Sequence, residues 1–261
     1  MYNIQIFFLL ILFYTNSHFV FVNKTPVSFS HFEVDKLEKI YGIKNNVFFN
    51  LPSTNNKQYN YTNNLLGTPQ IIDVTNPLQI ILYYKSNNSL VFLDNTLNEI
   101  RSPVLLDNLQ IYNTTLFCSS RLGGIWVYDD FKNQIFYINK YLEIEIESSH
   151  IENIIDKPTA PNYLKEHQSK IYMNIPGNAI LEFNQNGEYQ NTIPVKTNEV
   201  IQIQQKKIYY LTSDSIGSYN ILTKNNYIVP LPENNYKEIK IQNDKLYIFM
   251  DNYLSIYKIM N

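Results

Sequence analysis

The stretch Lys170-Ile171-Tyr172 opens an apolar strand, and close copies of it recur along the whole chain. The other copies are Lys39-Ile40-Tyr41, Gln79-Ile80-Ile81, Gly124-Ile125-Trp126, Lys207-Ile208-Tyr209 and Lys245-Leu246-Tyr247. Their second positions lie 40, 45, 46, 37 and 38 residues apart. Such a period is typical of one four-stranded blade of a β-propeller.

A companion strand follows each copy after a polar turn, and the turn contains asparagine in five of the six copies. The companions occupy residues 46–50, 90–94, 135–139, 180–184, 216–220 and 254–258, and most end in Asn or Asp. Asn tolerates the positive φ of tight hairpins, and it does much of this work in a chain with only seven glycines. We therefore predict an all-β fold, a six-bladed β-propeller of four-stranded antiparallel blades. The alternative is a generic antiparallel β-protein whose spacing arose by chance.

The blade boundaries leave the last blade one strand short. Blades one to five are expected at residues 31–62, 69–105, 109–147, 160–195 and 199–231, and the sixth starts at Tyr236 with three strands. A ring must close, because an open sheet edge invites aggregation. We expect residues 25–30 to supply the missing outer strand, so that residues 18–261 form a single domain. The connection formed by residues 148–163 is longer than the other connections between blades, and we interpret it as either a solvated or a functional loop.

Composition excludes several classes of protein. The 261 residues are 44% hydrophobic and 17% charged, with a net charge of −2 and no basic stripe, so we expect no nucleic-acid partner. The single cysteine, Cys118, lies in an apolar stretch and is interpreted as core packing rather than as a reactive thiol.

The N-terminus predicts export. Residues 4–14 are nearly all apolar, and Thr15-Asn16-Ser17 offers small residues for cleavage, although no Lys or Arg precedes the run. We interpret residues 1–17 as a signal peptide. We therefore expect the protein to be periplasmic or secreted, with no stable membrane insertion after cleavage. The alternatives are an uncleaved anchor or a buried strand.

No catalytic, cofactor-binding or metal-binding residue is predicted. The chain lacks a Gly-x-Ser-x-Gly motif, and His31, His150 and His167 are not spaced as paired metal ligands. Asp94 shares its repeat position with an Asn in four other blades, so we expect it to cap a turn. Asp73 is the best candidate for another role, although capping is the favoured interpretation there too.

One short region is a candidate partner-binding patch. Trp126, the only tryptophan, occupies the tyrosine position of the repeat, where core packing is the simpler interpretation. Trp, Tyr and Arg dominate interface hot spots. If a local patch recognises a partner, we therefore expect Arg121, Trp126 and Tyr128 to form it.

Three segments carry a family resemblance: residues 63–69 (NNLLGTP), 72–78 (IDVTNPL) and 93–100 (LDNTLNEI). They resemble small exported propellers of gliding, type IX-secreting bacteria, most of which have no assigned activity. The resemblance implies a location in the cell envelope and a protein-binding or scaffolding role, including that of an accessory to an outer-membrane secretion translocon. It supplies no catalytic residue.

Three function classes therefore remain, and the central channel separates them. An interaction module predicts a polar, uncharged channel and an apolar or aromatic surface patch. A calcium-dependent hydrolase or lactonase predicts several acids, amides or histidines that meet at the channel mouth. A small-ligand binder predicts a deep apolar pocket with a few polar groups.

Overall fold

The computed structural model describes residues 18–52, 57–156 and 158–260, and these form six separate four-stranded antiparallel sheets. In that part of the chain the helical segments are short 3₁₀ turns, at Lys85–Asn87, Leu106–Leu109 and Ile151–Asn153. None of them is long and apolar enough to cross a membrane. The six-bladed propeller predicted from the repeat is confirmed. The predicted signal peptide, residues 1–17, lies outside the described residues.

The strands are numbered along the chain. The closing strand is β1 (Phe19–Pro26). Blades one to three hold β2 (His31–Val34), β3 (Ile40–Lys44), β4 (Val47–Asn50), β5 (Asn60–Tyr61), β6 (Ile71–Asp73), β7 (Ile80–Tyr84), β8 (Ser89–Leu93), β9 (Val104–Leu105), β10 (Thr114–Ser119), β11 (Ile125–Asp129), β12 (Gln134–Ile138) and β13 (Ile144–Glu147). Blades four to six hold β14 (Tyr163–His167), β15 (Lys170–Ile175), β16 (Ala179–Phe183), β17 (Tyr189–Ile193), β18 (Gln202–Gln204), β19 (Lys207–Leu211), β20 (Ser215–Asn220), β21 (Asn226–Pro230), β22 (Glu238–Gln242), β23 (Lys245–Phe249) and β24 (Tyr253–Ile259).

The N-terminal segment completes blade six, as predicted, but with a different stretch of chain. The sheet order is β1-β24-β23-β22, so β1 forms the outer edge beside the last strand. The expectation that residues 25–30 form this strand was wrong by about six residues. Phe19 sets where the strand begins, because its side chain is buried in one cluster with Ile216 and Leu231 of blade five.

Phe29 explains why the closing strand ends early. Its ring stacks on Phe32 of blade one and contacts the ring of Phe249 in blade six, with centroids 6.0 and 5.1 Å away. It also covers Gly42, where a Cβ would lie 2.3 Å from the ring. Phe29 therefore fills the junction between the two ends of the ring instead of continuing the outer strand.

Topology gives the ring two different faces. Neighbouring blades contact one another mainly through their first strands, β2, β6, β10, β14, β18 and β22, which therefore surround the central channel. Because each blade is an antiparallel meander, the turns after first and third strands lie on one face, here the turn face. The turns after second strands and the blade-to-blade connections lie on the other, here the connection face.

Polar residues at the ends of the third strands cap the turns, as the repeat predicts. Asp94 accepts backbone hydrogen bonds from Thr96 and Asn98 at 2.8 and 3.0 Å. The equivalent asparagines make the same kind of bond to backbone N–H groups two to nine residues later: Asn50, Asn139, Asn184 and Asn220. These side chains are structural.

The long connection between blades three and four is a packed cover on the connection face. Its 3₁₀ turn buries Ile151 completely, and Ile154 and Ile155 pack against the same cluster between blades three and four. The described part of this loop is therefore anchored to the core rather than fully solvated.

Candidate functional site

Charged side chains from four blades meet in the central channel. Side chains alternate along a strand, so every second residue of a first strand faces the axis. This places His31 and Glu33 of β2 beside Glu238 and Lys240 of β22. The expectation of an uncharged channel for an interaction module is therefore not met.

Lys240 is the centre of this cluster. Its ammonium lies 2.6 Å from Glu33 Oε1 and 3.0 Å from Glu238 Oε1. The three side chains are between 16% and 23% exposed, so these ion pairs are largely shielded from water. They join blade six to blade one, where the two ends of the ring meet.

His31 extends the cluster toward the connection face. Its Nδ1 lies 2.8 Å from Glu238 Oε1, and its Nε2 lies 3.5 Å from Glu33 Oε1. The other oxygen of Glu238 accepts the backbone N–H of Phe32 at 3.1 Å, which fixes the carboxylate between the blades.

The pKa values follow from this pairing. Burial alone would lower the pKa of His31, but the hydrogen bonds to Glu238 and Glu33 outweigh it and raise the pKa to about 9. Burial opposes ionisation of Glu33 as well, yet the Lys240 ammonium and the His31 ring lower its pKa to about 2. At neutral pH His31 is therefore a cation and Glu33 an anion.

A second ion pair lies in the channel and joins blade four to blade two, the two neighbours of blade three. Lys165 of blade four lies 3.5 Å from Asp73 Oδ1 of blade two and also contacts Thr75 Oγ1. Asp73 accepts the backbone N–H groups of Ser119 at 2.6 Å and Thr75 at 2.7 Å. Asp73 thus has the predicted turn-capping role, and a second role as the counter-ion of Lys165.

The side chains of His31, Glu33 and Glu238 near the axis could bind a metal ion only if the Lys240 ammonium were displaced. His31, Glu33 and Glu238 each offer a ligand atom, and these atoms lie within 4.8 Å of one another. The two carboxylates are already balanced by the imidazolium of His31 and by the Lys240 ammonium, which lies between them. A divalent cation would have to displace it. No member of this set titrates near pH 7 in this environment, which is unfavourable for general acid–base catalysis.

The predicted partner-binding residues separate into buried and exposed positions. Trp126 and Tyr128 are 1% and 2% exposed and pack between blades three and four. The indole N–H of Trp126 donates to Glu166 Oε2 at 2.9 Å. This agrees with core packing at the repeat's tyrosine position. Arg121 lies exposed on the turn face, and a contact between its loop and a partner stays a prediction.

An apolar patch on the outer rim was not predicted from the sequence. It lies on β1 and β21, the outer strands of blades six and five, and we call it the rim patch. Its members are between 46% and 63% exposed: Val20, Phe21, Val22, Tyr227 and Ile228. Phe19 of β1 and Val229 of β21 share one cluster, so residues two positions away, Phe21 and Tyr227, flank the same cleft between the blades.

Comparisons with known proteins show the fold but no family. No protein-family model matches this sequence, and no curated protein matches it either. Among solved structures, the chain resembles a virginiamycin B lyase from Staphylococcus aureus with a TM-score of 0.63 and 10% identity, over 91% of this chain and 99% of that one. The extracellular domain of BT4673 from B. thetaiotaomicron matches with a TM-score of 0.57 and 13% identity, over 86% of this chain and 33% of that one.

The resemblance to type IX secretion propellers stays a prediction after these comparisons. PorZ, a surface component of the type IX secretion system of Porphyromonas gingivalis, matches with a TM-score of 0.48 and 10% identity, over 91% of this chain and 39% of that one. At these identities the comparisons establish a β-propeller fold, which enzymes and extracellular domains also have. They do not select among those activities.

Proposed function

We propose that this propeller is an exported, non-catalytic protein-binding module of the cell envelope, and that it assists an outer-membrane secretion translocon. The sequence resemblance and the apolar N-terminal run support export and the envelope location. The observation that carries the binding role is the exposed aromatic pair of the rim patch, Phe21 and Tyr227, because exposed apolar side chains that flank one cleft are a usual mark of a protein interface.

The occupant proposed for the rim patch is an extended segment of the partner protein. Strand β1 is the edge strand of blade six, so its outer side offers backbone groups to a further strand. Peptides that add to a sheet edge gain affinity from main-chain hydrogen bonds and specificity from alternate side chains. Phe21 and Tyr227 provide an apolar cleft for those side chains.

The channel supports the absence of catalysis. Its carboxylates are held in ion pairs with Lys240, His31 and Lys165, and their charges are neutralised within the fold. This network ties the blades together, and neither His31 nor Glu33 has a pKa near neutrality with which to act on a substrate.

Site-specific photo-cross-linking tests the proposal. A photoreactive amino acid is placed at Phe21 or Tyr227 and, as the control, at Phe131, which is 82% exposed on blade three. We expect cross-links from the two rim positions to an outer-membrane protein, identified by mass spectrometry, and none to it from position 131. Equal cross-linking from all three positions would exclude the rim patch as the interface.

A second candidate function is ligand binding or hydrolysis in the channel, as in a calcium-dependent hydrolase or lactonase. One observation favours it: His31, Glu33 and Glu238 converge from different blades as such a site requires. Calcium titration of the wild-type protein distinguishes the two candidates. Saturable calcium binding that is lost in Glu33→Gln would support the second; no binding would leave the channel a structural network.

A further inference from the structure

An open cavity of about 580 Å³ lies on the connection face, where blades four, five and six meet. Its walls are two turns after second strands and two blade-to-blade connections, represented by Gly177, Thr212, Lys196, Glu199 and Tyr236. Its volume falls within the range of sites that bind small molecules, roughly 300–1,000 Å³. It is separate from both the channel and the rim patch.

The wall formed by residues 196–199 is held by its backbone. The carbonyl of Thr197 accepts the N–H of Gly177 at 3.0 Å, and the carbonyl of Asn198 accepts Asn162 Nδ2 at 2.9 Å. The carbonyl of Glu199 accepts Nδ2 of Asn174, a fully buried side chain, at 3.3 Å. These bonds fix the loop in place without engaging the charged side chains that it presents.

Two opposite charges line the cavity without internal partners. Lys196 and Glu199 are exposed, and within the described residues neither forms an ion pair or a side-chain hydrogen bond. The channel charges, by contrast, are paired with one another. Tyr236 is half-buried beside Glu199: burial first, and then the charge of Glu199, raises the pKa of its hydroxyl.

We propose that this cavity binds a zwitterion of the amino-acid or short-peptide class. The carboxylate of Glu199 and the ring of Tyr236 receive the ligand's ammonium group, since an ammonium is attracted both by a carboxylate and by an aromatic face. Lys196 receives the ligand's carboxylate. A ligand with only one of these charges leaves the other side chain unmatched, so both termini are recognised.

Calorimetry with three related peptides tests this assignment. The probes are tri-alanine, its N-acetyl form and its C-terminal amide, titrated into the protein at low salt. We expect tri-alanine to bind, and each blocked form to bind about tenfold more weakly, which corresponds to the loss of one charge-assisted contact of about 1.4 kcal/mol.

Two variants assign the charges to the termini. In Glu199→Gln the preference for the free amine over the acetyl form should disappear, whereas in Lys196→Gln the preference for the free carboxylate over the amide should disappear. Lys206→Gln, an exposed lysine on the turn face of blade five, and the rim variant Phe21→Ser should leave all affinities unchanged. Absence of tri-alanine binding, or unchanged selectivity in both cavity variants, would overturn the assignment while leaving the rim proposal intact.

Discussion

Replacing Lys240 with methionine should destabilise the ring strongly. Methionine keeps most of the aliphatic volume but removes the ammonium that lies between Glu33 and Glu238 at 2.6 and 3.0 Å. Removing one partner of a buried pair costs about 3–5 kcal/mol, because the remaining charge is left uncompensated. These groups are about one-fifth exposed, and His31 still faces both carboxylates, so we expect the lower end, about 3 kcal/mol.

Urea unfolding at pH 7 measures this change. With a slope of about 3 kcal/mol per molar urea, the midpoint should fall by about 1 M. The matched control is Lys258→Met in the same blade, whose ammonium lies 3.7 Å from Asp244 with both side chains about half exposed. An exposed pair of this kind contributes less than about 1 kcal/mol.

A double-mutant cycle separates the ion pair from other effects. Glu33→Gln combined with Lys240→Met removes one uncompensated carboxylate, so the double variant should be less destabilised than the sum of the single variants by about 1–3 kcal/mol. The reasoning is refuted if Lys240→Met and Lys258→Met lower the midpoint equally, or if the two single effects simply add.

Three further predictions concern the closure, its pH dependence and the cysteine. Deletion of residues 18–26 removes the strand that pairs with β24 and should lower the Tm by more than about 10 °C; an unchanged Tm in a thermal melt would mean that β1 does not close the ring. The pKa of His31 is raised to about 9, so its stabilising contribution is complete below the unfolded pKa of about 6.5 and is lost as the pH rises through 9. The free energy of unfolding should therefore fall over this interval more steeply in the wild type than in His31→Gln; parallel curves would contradict the pairing. Burial raises the pKa of the Cys118 thiol, so N-ethylmaleimide should modify it only after unfolding, and rapid labelling of the native protein, followed by mass spectrometry, would contradict its buried position.

The blades could be predicted because their signal is local. Each copy of the repeat contains a strand, a short polar turn and a second strand within one hairpin, so short-range pairing chemistry is enough to define it. The capping role of Asp94 followed from the same logic, since a residue type repeated at one position in nearly every blade serves the blade itself.

The channel network could not be predicted in the same way. Glu33 and Lys240 lie more than two hundred positions apart and meet only because the ring closes. A signal was present in the alternation of charged residues along the first strands, as in His31-Phe32-Glu33 and Glu238-Ile239-Lys240. Its interpretation requires knowing which strand of each blade lines the axis. The bounds of β1 were predicted wrongly for a related reason, because Phe19 packs in a cluster with side chains of blade five, which is distant in sequence.

The structure of the propeller bound to its cross-linked partner is the most direct measurement of the proposed function. Cryo-electron microscopy of that complex should show an extended segment of the partner running beside β1, with side chains in the cleft between Phe21 and Tyr227. A partner seated on the turn face around Arg121, with the rim patch uncovered, would contradict it.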